Sequence, residues 1–347
     1  MAHIDIFRDD AFGLVEMTAA VSKMPRLPTM LGDLNLFTPK PIRTTVASFE
    51  QNAGRLTLIP TTPRGAPLPT ATRDARTLRH LETVRIAKSD SLQAAELQNL
   101  RAFGTDSELA VVQTEVAKRL AGLRIDTELT WENMRLGAIQ GIVYDADGTT
   151  VLYNLYDLFD VSQPTEIDFD LDNASPAEGV LRKTCAGVVR ATRNALQNGW
   201  IKGRTRVGAA VDDVFWDQLI AHKEVRDTFK NWNAAVELRG EADTGAFRFG
   251  GIDWMHYDGT DGSAESSSVK APTGKAKFFP IDTAPDVWQV ALGPGEFLDN
   301  VNQPGQPIYA LTLPDPSGRN AFVGIETYSY PLFVCTRPQA LQRGKNT

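Results

Sequence analysis

The sequence predicts an α+β fold organised around one long helix, and three observations lead to this prediction. First, the stretch 104–141 has helical apolar spacing and contains no proline. Second, segments on both sides of it alternate in polarity around short turns, a pattern typical of β-hairpins. Third, a second helical segment over 175–199 is followed mostly by strand patterns up to residue 335.

The long helix is predicted over about 105–140. Asp106 and Ser107 can cap its first turn, and Gly137 and Gly141 stand at its far end. At 1.5 Å per residue it would be roughly 50 Å long, which exceeds the ~30 Å of a small domain. Its apolar stripe shifts phase near Gly122, so its two halves should have different neighbours. The stripe consists of Leu109, Val112, Val116, Leu120 and Leu123, then of Ile125, Leu129, Leu136 and Ile139.

The composition is that of an ordinary folded protein. Of 347 residues, 42% are hydrophobic and 23% are charged, and the net charge is −7. This acidic balance argues against a dedicated nucleic-acid binder, which concentrates Lys and Arg against phosphate. Because the chain has neither a run of about 18 apolar residues nor a signal-peptide pattern, we expect no membrane segment and synthesis in a cytoplasm. Cys185 and Cys335 are expected to be reduced and buried.

Residues 1–43 form a predicted N-terminal arm. The buried face of a short helix over 9–24 should consist of Phe12, Val15, Ala19 and Met24. The segment that follows, up to Pro41, is too irregular to pack on itself and too apolar for solvent. Its side chains Leu34, Leu36 and Phe37 are therefore candidate inter-subunit contacts, unless the body of the same subunit receives them.

A projecting loop is predicted over 44–88. Strands over 44–50 and 55–60 should pair around a turn at 52–54, and Leu81, Val84 and Ile86 lie in the strand that returns. Residues 61–80 lack the apolar side chains that could build a core, and they should form the tip.

Charges of opposite sign are concentrated in this loop and in an acidic segment, residues 143–172. Between residues 41 and 87, seven arginines stand against three acidic residues, whereas the acidic segment holds eight acidic residues and no Lys or Arg. We expect the loop of one subunit to contact the acidic segment of the next, although the charges could equally serve only to keep a loop solvated. The candidate residues are Arg64, Arg73, Arg76 and Arg79 in the loop and Asp145, Asp147, Asp168, Asp170 and Asp172 in the acidic segment.

The acidic segment is predicted to be a β-hairpin region over 142–172, with a turn at Asp145 to Gly148 and a further strand over 166–171. Ser175 to Glu178 form a capping box that should open a helix ending at Gly199. The buried face of that helix should consist of Leu181, Cys185, Val188, Thr192 and Ala195. Further helices are predicted from Asp213 and around 224–232, strands over 205–211, 246–249, 252–256, 277–281, 287–291, 309–313 and 321–335, and an exposed loop over 258–275.

The usual patterns of catalytic and metal sites do not occur, so we expect no catalytic residue, cofactor or metal site. The turn at Asp145 lacks the later ligands of a calcium loop, and the four histidines are scattered. Asp168, Asp170 and Asp172 could hold a cation from one side of a strand, but an acidic strand edge is the commoner meaning of such a pattern. Neither a Gly-x-Ser-x-Gly motif nor a dinucleotide fingerprint is present.

Three stretches carry a resemblance to a known family: VSKMPRLPTMLGDLNLF (21–37), TTVASFEQNAGRLTLIPTTPRG (44–65) and SDSLQAAELQNLRAFGTDSE (89–108). The chain resembles the major capsid protein E family of lambda-like tailed bacteriophages. The resemblance implies an HK97-like fold: the arm over 1–43, an extended E-loop over 44–88, a peripheral domain over 89–172, an axial domain over 173–330, and a C-terminal return strand and tail over 331–347. The peripheral domain would hold the long helix as its spine and the β-hairpin.

The same resemblance implies a structural role in the virion. Subunits would form hexamers and pentamers of an icosahedral procapsid, assembled in the host cytoplasm, which expands around double-stranded DNA. Expected partners are other copies of the chain, a portal protein, a scaffolding protein and a decoration protein, with DNA only in non-specific proximity. The alternatives are the shell of a gene-transfer particle, an encapsulin-like nanocompartment or, from another class, a soluble enzyme that uses Asp168 and Asp170 as acid and base.

Two departures from HK97-like relatives are visible in the sequence. No lysine lies between residues 41 and 87, so a lysine–asparagine cross-link from this loop is not expected. The first helix begins close to Met1, which predicts that scaffolding comes from a separate protein.

Overall fold

The computed structural model describes residues 14–24, 29–52, 76–97, 108–173, 175–228, 246–257, 269 and 271–347. Seven helices in these ranges are α1 Leu14–Lys23, α2 Met30–Asp33, α3 Ala94–Leu97, α4 Glu108–Gln140, α5 Leu155–Phe159, α6 Val180–Leu196 and α7 Asp213–Ala221, and residues 223–228 are helical as well. The strands up to the middle of the chain are β1 Thr38–Pro41, β2 Val46–Asn52, β3 Arg76–Glu82, β4 Ile86–Gln93, β5 Ile142–Tyr144, β6 Val151–Asn154, β7 Glu166–Asp168 and β8 Arg206–Val211. The later strands are β9 Ala246–Phe249, β10 Ile252–His256, β11 Lys275–Ile281, β12 Trp288–Leu292, β13 Tyr309–Pro314, β14 Phe322–Ser329, β15 Pro331–Cys335 and β16 Gln342–Lys345. The predicted α+β class is confirmed.

The long helix α4 has 33 residues and packs with different partners along its length, as its phase shift predicted. The capping residues predicted for it, Asp106 and Ser107, lie outside the described residues. The helix stops at Gly141, whose φ of 85° is left-handed and where a Cβ would lie 2.4 Å from the Tyr156 ring. The first half packs in a cluster with α1, β4, β13 and β14 through Val112, Val116, Leu120 and Leu123. The second half packs in the main core through Met134, Leu136, Ala138 and Ile139.

Two details of the predicted helix faces are wrong. Ile125, predicted in the second stripe of α4, is 46% exposed, because the middle of the helix buries polar side chains instead. In α1 the exposed residue is Val15, and the buried ones are Met17 and Val21, which contact the first half of α4. The helical pattern of α1 was therefore predicted correctly, but the side of α1 that is buried was not.

A six-stranded sheet in the order β7-β16-β11-β8-β10-β9 forms the second body of the fold. One face is covered by α6 and α7 through an aromatic cluster in which Phe169 stacks on Phe278 at 5.4 Å. The other face contributes Ala210, Met255 and Phe279 to the main core. Strand β8 is parallel to β10 and antiparallel to β11, so the sheet is mixed.

The chain returns to the region of the long helix earlier than expected. Strands β13 and β14 form a three-stranded sheet with β4, and β15 forms another with β1 and β12. Residues 309–329 therefore lie beside the predicted peripheral domain, while the last strand, β16, belongs to the six-stranded sheet. Local strand patterns do not reveal which sheet a strand joins.

The β-hairpin after the long helix is shorter than predicted. It comprises β5 and β6, which pair antiparallel from Ile142 opposite Asn154. Strand β7, predicted as part of the same region, instead lies parallel to β16 in the six-stranded sheet. The acidic segment thus spans both bodies of the fold.

In the projecting loop, β2 pairs antiparallel with β3, from Val46 opposite Glu82 to Asn52 opposite Arg76. The sequence predicted 55–60 as the partner of this strand, but 53–75 lie outside the described residues. The expected returning strand is present, although it ends at Glu82 and a new strand begins at Ile86.

Helix α6 starts later than its capping box predicts. Its first residue is Val180, after Gly179 with a φ of 77°, and no side chain of the 175–178 box caps it. Instead, the Glu224 carboxylate accepts hydrogen bonds from the backbone amides of Leu181 at 3.1 Å and Arg182 at 3.3 Å. The predicted buried face of α6 is otherwise correct, with Leu181, Cys185, Val188 and Thr192 buried and Ala195 partly buried.

Both cysteines are free and buried. Burial raises the pKa of each thiol to about 12. Among the helices that the structure describes, none is both long and apolar enough to cross a membrane.

Candidate subunit interface

Of the four candidate arginines in the projecting loop, only some lie in the described part of the chain. Arg64 and Arg73 lie outside the described residues, and Arg76 is described only by its backbone in β3. Arg79 is half-buried on β3 opposite Phe49, a side chain that is 1% exposed. Within the described ranges, no ion pair joins a loop arginine to the acidic segment of the same chain.

The root of the loop is held by a different arginine. The Arg85 guanidinium donates to the Glu296 carboxylate, with Nε to Oε2 at 3.0 Å and Nη2 to Oε1 at 2.9 Å, and lies 5.1 Å from the centre of the Tyr328 ring. The hydrogen bond from Arg85 lowers the pKa of Glu296. This pair ties the start of β4 to the loop between β12 and β13.

The two aspartates at the tip of the β5–β6 hairpin organise the turn itself. Asp147 accepts hydrogen bonds from the backbone amides of Thr149 and Thr150, both at 2.9 Å, and from the Thr150 hydroxyl at 2.6 Å. These bonds hold the pKa of Asp147 well below its usual range. Asp145 is exposed beside it and accepts from the amide of Ala146 at 2.7 Å. The geometry is that of a hairpin turn with two exposed carboxylates, of which Asp147 is held by the turn.

The three later aspartates do not share one strand face. Asp168 ends β7 and pairs with Lys345 at 2.9 Å, and the hydrogen bond from Lys345 lowers its pKa. Asp170 follows the strand in a left-handed conformation (φ 48°) and accepts from Asn173 at 2.8 Å, while Asp172 is exposed. No group of three His, Cys, Asp or Glu side chains in the described part of the chain could hold a metal ion.

The arm residues pack on their own subunit. Leu36 is 9% exposed in the main core, and Leu34 packs against the same core. The Phe37 ring meets Trp288 and Phe333 edge to face, each at 5.1 Å. The body of the same chain contacts these three side chains, because β1 adds this part of the arm to the β12–β15 sheet. Their contact with a neighbouring subunit stays a prediction.

A polar clamp on α4, formed by Arg124, Glu128, Glu132 and Arg135, holds the arm. At its first end, Arg124 donates to Glu128 at 2.9 Å and to the backbone carbonyls of Val21 and Met24, the latter at 2.8 Å. The Val21 carbonyl also accepts from the Met24 amide at 3.1 Å, so Arg124 adds a second donor where α1 ends. The clamp thus gives the carbonyls at the end of the first arm helix a charged donor, Arg124, whose own charge is paired with Glu128.

At the second end of the clamp, the Glu132 carboxylate accepts from the backbone amides that begin α2. The bonds come from Leu31 at 2.7 Å and Gly32 at 3.2 Å, and Arg135 pairs with the same carboxylate at 3.2 Å. Glu132 is only 1% exposed. A Cβ on Gly32 would lie 2.3 Å from Thr29 Oγ1 and 3.0 Å from Arg135 Nη1, so only glycine allows this close approach.

Sequence reasoning missed the clamp, although one signal was present. Arg124, Glu128 and Glu132 are spaced by four residues in the part of α4 where the apolar stripe changes phase. Such spacing normally indicates exposed ion pairs on a helix surface. Here the surrounding arm buries them.

Comparisons with known proteins agree with one another. The sequence profile described as phage major capsid protein E matches residues 13–346. The major capsid protein of Salmonella phage Felix O1 (isolate Felix O1-VT1) is 26% identical over 357 residues, covering 95% of this chain and 95% of that relative.

Two solved structures have a similar fold. A crystal structure described as a capsid protein of a prophage of E. coli CFT073 matches with a TM-score of 0.55 and 11% identity, covering 96% of this chain and 99% of that one. The capsid subunit of an empty GTA particle matches with a TM-score of 0.50 and 11% identity, covering 93% and 92%. At this identity the two structures show the fold alone, which is HK97-like.

Proposed function

This chain belongs to the phage major capsid protein E family, and from that membership we propose that it assembles as hexamers and pentamers into an icosahedral phage head. A phage major capsid protein forms shells with copies of itself and is part of the virion. The observation that carries the proposal is the family match over residues 13–346, which leaves almost none of the chain for another role.

The proposal also covers the stages of head assembly. Subunits assemble in the host cytoplasm around a scaffolding protein, contact a portal protein and a decoration protein, and enclose double-stranded DNA while the shell expands. Exposed apolar side chains support contact with neighbours, because Leu298 is 93%, Val15 72% and Val301 62% exposed on the single subunit. Covering them by assembly would make the stability of the subunit depend on concentration.

Negative-stain microscopy of the expressed chain, alone and with its scaffolding protein, tests assembly. We expect closed shells of uniform diameter. A chain that stays monomeric at high concentration in both preparations would contradict the proposal.

We also propose that the projecting loop, the E-loop, contacts the acidic segment of a neighbour. Asp145 supports this, because it is exposed at a hairpin tip, and Asp170 and Asp172 lie on an exposed stretch. Exposed ion pairs contribute about 0–1 kcal/mol each, so the effect would come from many copies.

Charge reversal tests this contact. The variant Arg64→Glu/Arg73→Glu/Arg76→Glu should lower shell yield, whereas the control Lys23→Glu/Lys40→Glu/Arg319→Glu changes the net charge equally at exposed positions outside the loop. Equal yields from the two variants would show that the loop arginines serve only solubility.

A further inference from the structure

The strongest positive charge in the chain lies outside the projecting loop. Residues 179–211 contain seven cations and no Asp or Glu, in a protein whose net charge is −7. The stretch comprises helix α6, the turn that follows it and strand β8. Its cations are Arg182, Lys183, Arg190, Arg193, Lys202, Arg204 and Arg206.

Two of the seven cations are used within the chain. Arg182 donates to the Thr228 hydroxyl at 2.8 Å and lies over the Phe249 ring at 5.4 Å. Arg206 pairs with Asp253 at 2.7 Å and Asp282 at 3.0 Å. These contacts fix the two ends of the basic stretch to the six-stranded sheet.

The other five cations form what we call the basic face: Lys183, Arg190, Arg193, Lys202 and Arg204. All five are exposed, and none makes an ion pair with any residue in the described ranges. Of the acidic residues at the start of α6, Glu178 pairs with Lys223 at 3.7 Å, and Glu224 accepts from the backbone amides of Leu181 and Arg182. The basic face is therefore free to meet an outside partner.

The basic face runs along one side of α6. Leu181, Cys185 and Val188 point into the core, so Lys183, Arg190 and Arg193, spaced by seven and three residues, lie on the opposite side. The 17 residues of α6 span about 25 Å, and Lys202 and Arg204 follow in the turn between α6 and β8. Like charges aligned without intervening acids repel one another, and an anionic partner would relieve that repulsion.

We propose that this basic face binds the phosphate backbone of the enclosed double-stranded DNA. The inference rests on the proposed function, in which the shell encloses DNA. Over the length of α6, B-DNA presents roughly 15 phosphate charges, enough to meet every cation of the face without regard to base sequence.

A neighbouring subunit offers fewer free carboxylates than DNA does. In the acidic segment, two of the eight carboxylates are paired with cations of their own chain: Asp168 with Lys345 at 2.9 Å and Glu166 with Lys275 at 2.8 Å. The basic face therefore fits a uniform polyanion better than this partly neutralised segment.

A binding measurement on unassembled full-length subunits tests the proposal. The probe is a fluorescent random-sequence DNA duplex titrated at several salt concentrations. The variant Lys183→Gln/Arg190→Gln/Arg193→Gln should bind about tenfold or more weakly, with a salt slope smaller by roughly 2 to 3. The control Lys23→Gln/Lys40→Gln/Arg319→Gln removes the same charge elsewhere and should bind like the wild type.

Two results would overturn the proposal: equal loss of DNA affinity in both variants, or no loss of DNA affinity in the α6 variant. In the second case, we also score whether the α6 variant fails to form shells. Normal DNA binding together with failure to form shells would assign the basic face to contact between copies of the chain. Shell formation by the wild-type chain is scored separately, so failure of assembly and failure of DNA binding remain distinguishable.

Discussion

The Glu132 carboxylate accepts a 2.7 Å hydrogen bond from the backbone amide of Leu31, joining the middle of the long helix to the start of α2. Because Glu132 is 1% exposed, water cannot reach its carboxylate to replace this hydrogen bond. Together with the contacts of Arg124 to the end of α1, it fastens both arm helices to their own subunit.

Removing the clamp carboxylate should destabilise the subunit strongly. Glu132→Ala leaves two amides and Arg135 without their acceptor, which costs about 3–5 kcal/mol for a buried pair. Urea unfolding of unassembled subunits measures this. Glu115→Ala is the matched control on the same helix, because Glu115 pairs with Arg119 at 3.6 Å outside the clamp, and it should cost under about 1 kcal/mol. Equal shifts in the two variants would refute the clamp.

Acid should loosen the root of the projecting loop. The pKa of Glu296 is lowered in the folded state, so its pairing with Arg85 stabilises the fold above the ordinary glutamate pKa of about 4.3 and is lost as pH falls through the lowered value. Hydrogen-exchange protection of residues 83–86, corrected for intrinsic rates, should therefore fall between about pH 5 and pH 3.

The variant Glu296→Gln should show this weaker protection already at pH 7. Protection that is unchanged in the variant would mean that Arg85 does not hold the loop root.

A buried lysine should make the subunit more stable in mild base. Lys277 of β11 is 8% exposed and stands opposite Arg343, and burial lowers its pKa to about 8. An unfolded lysine titrates near 10.4, so between about pH 8 and pH 10 the unfolded chain binds more protons and stability rises with pH.

The variant Lys277→Met should remove that pH dependence and gain up to about 3 kcal/mol at pH 7. Lys275→Met, which breaks the pair with Glu166, is the control and should bring no gain. Thermal unfolding across this pH range distinguishes the two, and a pH profile of Lys277→Met identical to that of wild type would contradict the assignment.

Assembled shells should come apart into single chains when boiled in detergent. The projecting loop offers no lysine between residues 41 and 87 for an isopeptide bond. Gel electrophoresis of boiled shells should give one band at the monomer mass, and a ladder of covalent oligomers would disprove this prediction.

Patterns set by neighbouring residues predicted much of the fold. The bounds of β9 and β10 agree with the predicted 246–249 and 252–256, and the long helix ends at Gly141 as its sequence indicated. Alternation and helical spacing are local, so a single sequence is enough to show them.

Features that depend on distant residues were not predictable. Glu224 replaces the expected capping box of α6 from 43 residues away, and β13 and β14 join β4 across more than 200 residues. For the candidate interface, charge counts located the loop and the acidic segment, whereas burial of Glu132 depends on an arm 100 residues earlier. Nothing in the local sequence distinguishes such a carboxylate from an exposed one.

A cryo-EM reconstruction of shells assembled from this chain tests the central claim most directly. We predict a closed icosahedral shell of HK97-like subunits in which Glu132 contacts Leu31 of the same chain, while the projecting loop lies on a neighbour. A shell in which the arm docks on the long helix of a neighbouring subunit, or a particle with no HK97-like subunit, would contradict it.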